Sequence, residues 1–217
     1  PIALLVMGAI LLNVCSARGA SQTIKTSTNI VKSNSDRLKQ QPSIGSCQGL
    51  AERVDELADG FQYTEGPAWD KRRGRWMFSD VTGDTVYGIT PDGALTRIRT
   101  QAGFPNGRAF RDDGKVVVAQ HDRTLNLVEG DGSNFTRLID SYKGKKLNSP
   151  NDVSIAKDGS TYFTDPMFGI QGYGPEKAES ELGYAGIYKL VNGQLSLLNK
   201  ELATPNGIAI TLSLIHI

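Results

Sequence analysis

Four segments of this chain repeat one another: Glu65-Gly-Pro-Ala-Trp-Asp70, Asn106-Gly-Arg-Ala-Phe-Arg111, Asn151-Asp-Val-Ser-Ile-Ala156 and Asn206-Gly-Ile-Ala-Ile-Thr211. Their leading residues lie 41, 45 and 55 positions apart, and Pro precedes each of the last three. In the first three copies a charged or Gly-containing turn follows, then a strand-like run ending at a polar residue: Asp80, the Gln120-His121-Asp122 group, Asp165. A third run, a turn built on Asp92-Gly93, Asp131-Gly132 or Asn192-Gly193, and a fourth run complete each unit. Four short runs per unit, a period of about 40–55 residues and hairpin turns of this chemistry predict an all-β chain folded as a β-propeller. The 24 glycines among 217 residues, well above the usual roughly 7%, fit many tight turns. Gly-containing breaks come too often for a helix of useful length.

Propeller topology converts the repeat into a site. Strands A to D of each blade run outward from a central channel in alternating directions, so the start of A, the end of B and the start of C share one face. Glu65, Asn106, Asn151 and Asn206 stand at the start of A, and Asp80, His121 and Asp165 at the end of B. All are expected around one channel mouth. The longest spacing owes its length to Pro166–Gly183, an insertion between B and C above that mouth, placed to wall a pocket. One carboxylate among several carboxamides is hard-oxygen chemistry, suited to Ca²⁺ or Mg²⁺ over softer metals. Pro-Asn-Gly is also a common turn sequence, but a turn has no need of the Glu that replaces Asn in the first copy. His121 reads two ways, as a proton shuttle or substrate contact or as a hydrogen-bonded loop residue.

Charge excludes some partners. Lys+Arg 24 against Asp+Glu 23 gives no footprint for nucleic acid or an anionic membrane surface. The apolar run Ile2–Val14 is too short for a comfortable span. Followed by Cys15, Ser16, Ala17, Gly19 and Ala20, it reads as a signal peptide over residues 1–20 whose charged start is missing. The alternatives are a lipidated Cys15 and an uncleaved anchor helix; each places the remainder outside the cytoplasm, periplasmic or secreted. A polar linker is expected over 21–49 and the partial propeller over 50–211. Cys47, alone after cleavage, lies in that linker and is not expected to be catalytic.

The stretches Glu65–Asp70, Met77-Phe-Ser-Asp80, Tyr142–Asp152, Tyr162-Phe-Thr-Asp-Pro166 and Pro205–Ile210 together resemble the SMP-30/gluconolactonase/luciferin-regenerating-enzyme-like family. The resemblance implies a propeller that is six-bladed when complete, with about three and a half blades here. It implies hydrolysis of a small-molecule lactone, such as a sugar lactone, with one divalent cation in the channel: Ca²⁺ first, Mg²⁺ or Zn²⁺ as alternatives. Carried over by position, Glu65, Asn151 and Asn206 are the metal ligands, Asn151 also reading as a substrate contact. Asn106, His121 and Asp165 are the expected substrate-binding residues. The family's general-base Asp belongs to a later blade and has no counterpart here, so the chain is expected to be a C-terminally truncated, inactive piece. Leu212–Ile217 reads as a non-native tail, because an apolar string stands where the repeat demands an Asp-Gly turn.

Two other functions share the scaffold: a metal-dependent phosphotriesterase-like hydrolase, and a non-catalytic propeller that binds a ligand at its mouth. A Ser-His-Asp hydrolase is not supported, since no Gly-x-Ser-x-Gly elbow occurs. Trp69 and Trp76 read as blade packing, and Lys143–Lys146 as a solvated loop.

Overall fold

The computed structural model describes residues 56–210. The signal peptide, the linker and the tail at 212–217 therefore lie outside the described residues. Three four-stranded antiparallel sheets follow in chain order, each with its strands in sequence order. The first is β1 (Thr64–Asp70), β2 (Arg75–Asp80), β3 (Thr85–Ile89) and β4 (Leu95–Thr100). The second is β5 (Pro105–Phe110), β6 (Val116–Gln120), β7 (Thr124–Val128) and β8 (Phe135–Ile139). A small hairpin, β9 (Ser141–Tyr142) with β10 (Lys145–Lys146), precedes the third, which is β11 (Val153–Ile155), β12 (Thr161–Asp165), β13 (Gly186–Val191) and β14 (Gln194–Asn199). Among the described residues the helical element is one 3₁₀ turn, Gly169–Gln171, inside the long insertion. No described helix is long and apolar enough to cross a membrane.

These sheets are blades. The first strand of the second sheet, β5, lies against both β1 and β11, so the opening strands of successive sheets meet along a common axis. The second and third strands of each blade carry most of the burial, while the outermost strands β4, β8 and β14 are largely exposed. Val117, Ala119, Leu125, Leu147, Val153, Phe163 and Tyr188 form one apolar core between the second and third blades. Met77, Val86 and Ala102 form a second around the first blade. The turn chemistry holds where expected: Gly93, Gly132 and Gly193 stand at φ 89°, 83° and 80°. The segment Lys143–Lys146 is the tip and second strand of the β9–β10 hairpin rather than a plain loop, with Lys145 and Lys146 exposed. Trp69 packs against Trp76 with ring centroids 5.2 Å apart. Asn206–Ile210, expected to open a fourth blade, takes no regular strand, since no described strand follows to pair with it.

Candidate functional site

The repeated Glu/Asn-Gly pair is built into the axis. Its ladder is broken at the same place in two blades: pairing of β1 with β2 slips between Glu65 and Ala68, and that of β5 with β6 between Pro105 and Arg108. Such irregularities bend a strand and re-aim its side chains. At Gly66, with φ 55°, a Cβ would fall 2.2 Å from the Asn106 carbonyl oxygen. At Gly107 a Cβ would fall 2.2 Å from Asp152 Oδ1 and 2.8 Å from the Asn151 carbonyl oxygen. The glycines therefore let one blade's inner strand touch the next. Pro105-Asn106-Gly107 is the start of a strand, not a tight turn.

Blade junctions are stitched by hydrogen bonds at matching positions. Ser79 Oγ, on β2, donates to the Asn106 carbonyl at 2.8 Å, and Thr164 Oγ1, on β12, to the Asn206 carbonyl at 2.6 Å. At the middle junction the strand residue is Ala119, and Gly107 N donates to the Asn151 carbonyl at 2.7 Å instead. Glu65, Asn106, Asn151 and Asn206 are thus strung along the contacts between successive inner strands. Asn106 and Asn151 are buried, and Glu65 and Asn206 half-buried. Asn151 is held through its backbone, its N–H on the Thr164 carbonyl at 2.9 Å.

Asp152 joins this group, and the sequence reading passed over it. It stands where the other repeats have Gly66, Gly107 and Gly207, and that break in the repeat was the available signal. Its carboxylate accepts from Val153 N at 2.8 Å and Ile208 N at 2.9 Å. Burial lifts the Asp152 carboxyl above its ordinary range, against those two donors. Burial likewise lifts Glu65; the Gly66 amide, 3.2 Å from Oε2, works the other way, and the Asp152 charge adds to the rise. Neither carboxylate has an ion-pair partner among the described residues. No group of three or more His, Cys, Asp or Glu side chains forms among them, so a cation held here would draw on amide oxygens as well as carboxylates.

His121 and Asp165 part company. The residue ending β2 and β12 is an Asp in each case, and each clasps the backbone leading into strand A of its own blade. Asp80 Oδ1 accepts from Tyr63 N at 2.8 Å, and its carboxylate also from Gln62 N. Asp165 accepts from Asn148 N at 2.9 Å and Ser149 N at 2.8 Å. Counted from Glu65 and from Asn151, these are the same two positions. Asp165 is fully buried, and burial pushes its carboxyl up to about 7 against the two amides and Arg123. It was expected to contact substrate; its carboxylate is instead occupied by the loop that carries Asn151.

In the second blade the matching residue is Gln120, and His121 lies one step further, where its ring reaches Asn106. The Tyr173 carbonyl, 2.9 Å from Nδ1, can only accept, so Nδ1 carries the proton and Nε2 accepts from Asn106 Nδ2 at 2.9 Å. Burial lowers the His121 pKa, in keeping with this neutral tautomer. The link also docks the insertion on the mouth side: a Cβ at Gly169 would meet His121 Cβ at 2.8 Å. A concavity of about 760 Å³ opens elsewhere, among the turns of the second and third blades near Arg111–Asp113 and Lys157–Ser160. It contains none of these residues.

Relatives share this architecture. A gluconolactonase of Zymomonas mobilis is 29% identical over 90% of the chain, which spans 61% of that protein. A solved gluconolactonase of Xanthomonas campestris superposes with a TM-score of 0.63 at 32% identity, over 66% of this chain and 49% of that one. A calcium-binding regucalcin of Agrobacterium tumefaciens superposes at 0.53 with 19% identity, over 68% and 46%, a likeness of fold alone. Residues 63–213 match the SMP-30/Gluconolactonase/LRE-like region. With its stacked four-stranded blades and the Glu/Asn repeat along their axis, the chain belongs to that family.

Proposed function

We propose that the protein to which this chain belongs is a divalent-metal-dependent lactone hydrolase, with its cation at Glu65, Asn151 and Asn206. The observation that carries the reading is the Glu65–Asp152 pair, two half-buried carboxylates that make no ion pair among the described residues. Buried charge of one sign is costly, and a hard divalent cation removes the cost while using the amide oxygens of the repeat. When bound, such a cation stabilises the negative charge that develops on an attacked carbonyl oxygen.

The chain's own residues bind and orient. Asn106, its side-chain nitrogen held by His121, would offer its side-chain Oδ1 as an acceptor for a substrate hydroxyl. His121 remains neutral and fixes that orientation. Gly66 and Gly107 let the inner strands of adjacent blades touch, the close approach that a cation shared between blades would need. The general base is assigned, on the family resemblance, to an Asp of a later blade. Similarity to gluconolactonases supports a sugar lactone as substrate. The test is gluconolactone hydrolysis by the complete protein, followed by acid release at constant pH, with and without a chelator. Activity lost to chelation and restored by Ca²⁺ or Mg²⁺ is expected. Chelator-resistant turnover would remove the metal, and absence of turnover with any cation would remove the hydrolase.

A further inference from the structure

Two tyrosines lie beside this site with side chains that have no role in it so far. Tyr63 precedes Glu65 by two residues, and Tyr173 sits in the insertion between β12 and β13. Their rings pack with centroids 5.4 Å apart and planes at 43°. Tyr63 remains 44% exposed and Tyr173 45%. Their backbones are nevertheless fixed. Tyr63 N donates to Asp80 Oδ1 at 2.8 Å, and its carbonyl accepts from Val81 N at 2.8 Å. Tyr173 N donates to the Phe168 carbonyl at 3.1 Å, and its own carbonyl accepts a hydrogen bond from His121 Nδ1 at 2.9 Å. Beside it, a Cβ at Gly174 would meet the carbonyls of Gly169 and His121 at 2.8 and 2.9 Å.

Two half-exposed rings packed on each other and carried by backbones held this firmly form a preorganised surface, much of whose ordering cost is met before anything binds. One end of that surface is tied to Glu65 by two residues of chain, the other to Asn106 through His121. The chemistry points to one kind of ligand. A polyhydroxylated ring carries its hydroxyls around the rim and bare C–H bonds on its faces. The electron-rich face of a phenol ring accepts such C–H bonds, while hydroxyls need hydrogen-bonding groups at the edge, the part that Asn106, linked to Tyr173 through His121, would take. A few polar groups at the edge of an aromatic patch is the usual make-up of a small-molecule site.

We propose that Tyr63 and Tyr173 form an aromatic subsite that stacks on the C–H face of a polyhydroxylated ring lactone and directs its carbonyl toward the cation site that includes Glu65. The direction of the ring depends on lactone hydrolysis at Glu65; the stacking does not.

The experiment uses the complete protein and two readouts. In steady-state gluconolactone hydrolysis, Tyr63→Leu with Tyr173→Leu raises KM about tenfold and leaves kcat within about twofold, whereas the Phe pair stays close to wild type. By proton NMR, the ring protons of gluconolactam, which is not hydrolysed, shift upfield with wild type and with the Phe pair but not with the Leu pair. The ¹⁵N signature of the Nδ1–H tautomer of His121 reports that the insertion remains docked; where the Leu pair loses it, Tyr63→Leu alone carries the test. Unchanged KM in the Leu variants, or lactam protons unshifted by wild type, would overturn the subsite. A protein that shifts the lactam but hydrolyses no lactone would keep the subsite and discard the hydrolase.

Discussion

At the scale of single residues, Glu65, Gly66 and Asp165 each do work that their neighbours cannot take over. Glu65→Gln keeps shape and removes charge. Ca²⁺ affinity measured by calorimetry is expected to fall at least tenfold, about 1.4 kcal/mol; unchanged affinity would take Glu65 out of the site. Gly66→Ala places a methyl against the Asn106 carbonyl at a backbone angle that side chains rarely adopt. A loss of about 2 kcal/mol or more in urea unfolding is expected. Asp165→Asn replaces one acceptor with a donor facing a backbone N–H, at a cost of about 2 kcal/mol. Its pH signature has a definite sign. With the carboxyl at about 7 in the folded chain and near 4 when unfolded, the native state holds the extra proton between those values. Stability contributed here is full below the unfolded value and declines as pH rises toward 7. Urea midpoints measured without divalent cation should show that decline in wild type and a weaker one in Asp165→Asn. Equal slopes would mean that Asp165 does not titrate there.

At the scale of elements, the insertion Pro166–Gly183 is two things at once. Its far end is structural: Leu182 is part of the core, and Glu181 Oε2 accepts from Lys146 N at 2.8 Å. Its near part, around Tyr173, faces Tyr63 and holds His121. Excising Gly172–Lys177 should therefore change the ranking of lactones by kcat/KM while leaving Ca²⁺ affinity nearly intact. An unchanged ranking would reduce the insertion to structural packing.

At the scale of the whole molecule, the blades are joined in part by hydrogen bonds that recur at matching positions. Thr164→Ser keeps the hydroxyl that reaches Asn206, and Thr164→Ala removes it, at about 1 kcal/mol. Ser79→Ala should cost more, about 2–3 kcal/mol, because Ser79 also accepts from the charged, buried Arg108 guanidinium, where Thr164 Oγ1 accepts only from the neutral Asp152 N–H. The two sites serve different junctions and share no partner, so their costs should add within about 0.5 kcal/mol. Strong coupling in a double-mutant cycle would show that the blades yield as one unit. The sequence alone determined the blades, because period-two runs and Asp-Gly turns are local matters of backbone angle and side-chain alternation. It also determined that Glu65, Asn106, Asn151 and Asn206 are equivalent, since they recur in register. It could not separate His121 from Asp165, one residue out of step with each other, because a side chain's facing depends on which backbone amides lie opposite. Tyr173 likewise meets the site only because the insertion docks on His121, which no spacing along the chain encodes, whereas Asp152 beside Asn151 and Tyr63 two residues before Glu65 stood next to it in the sequence.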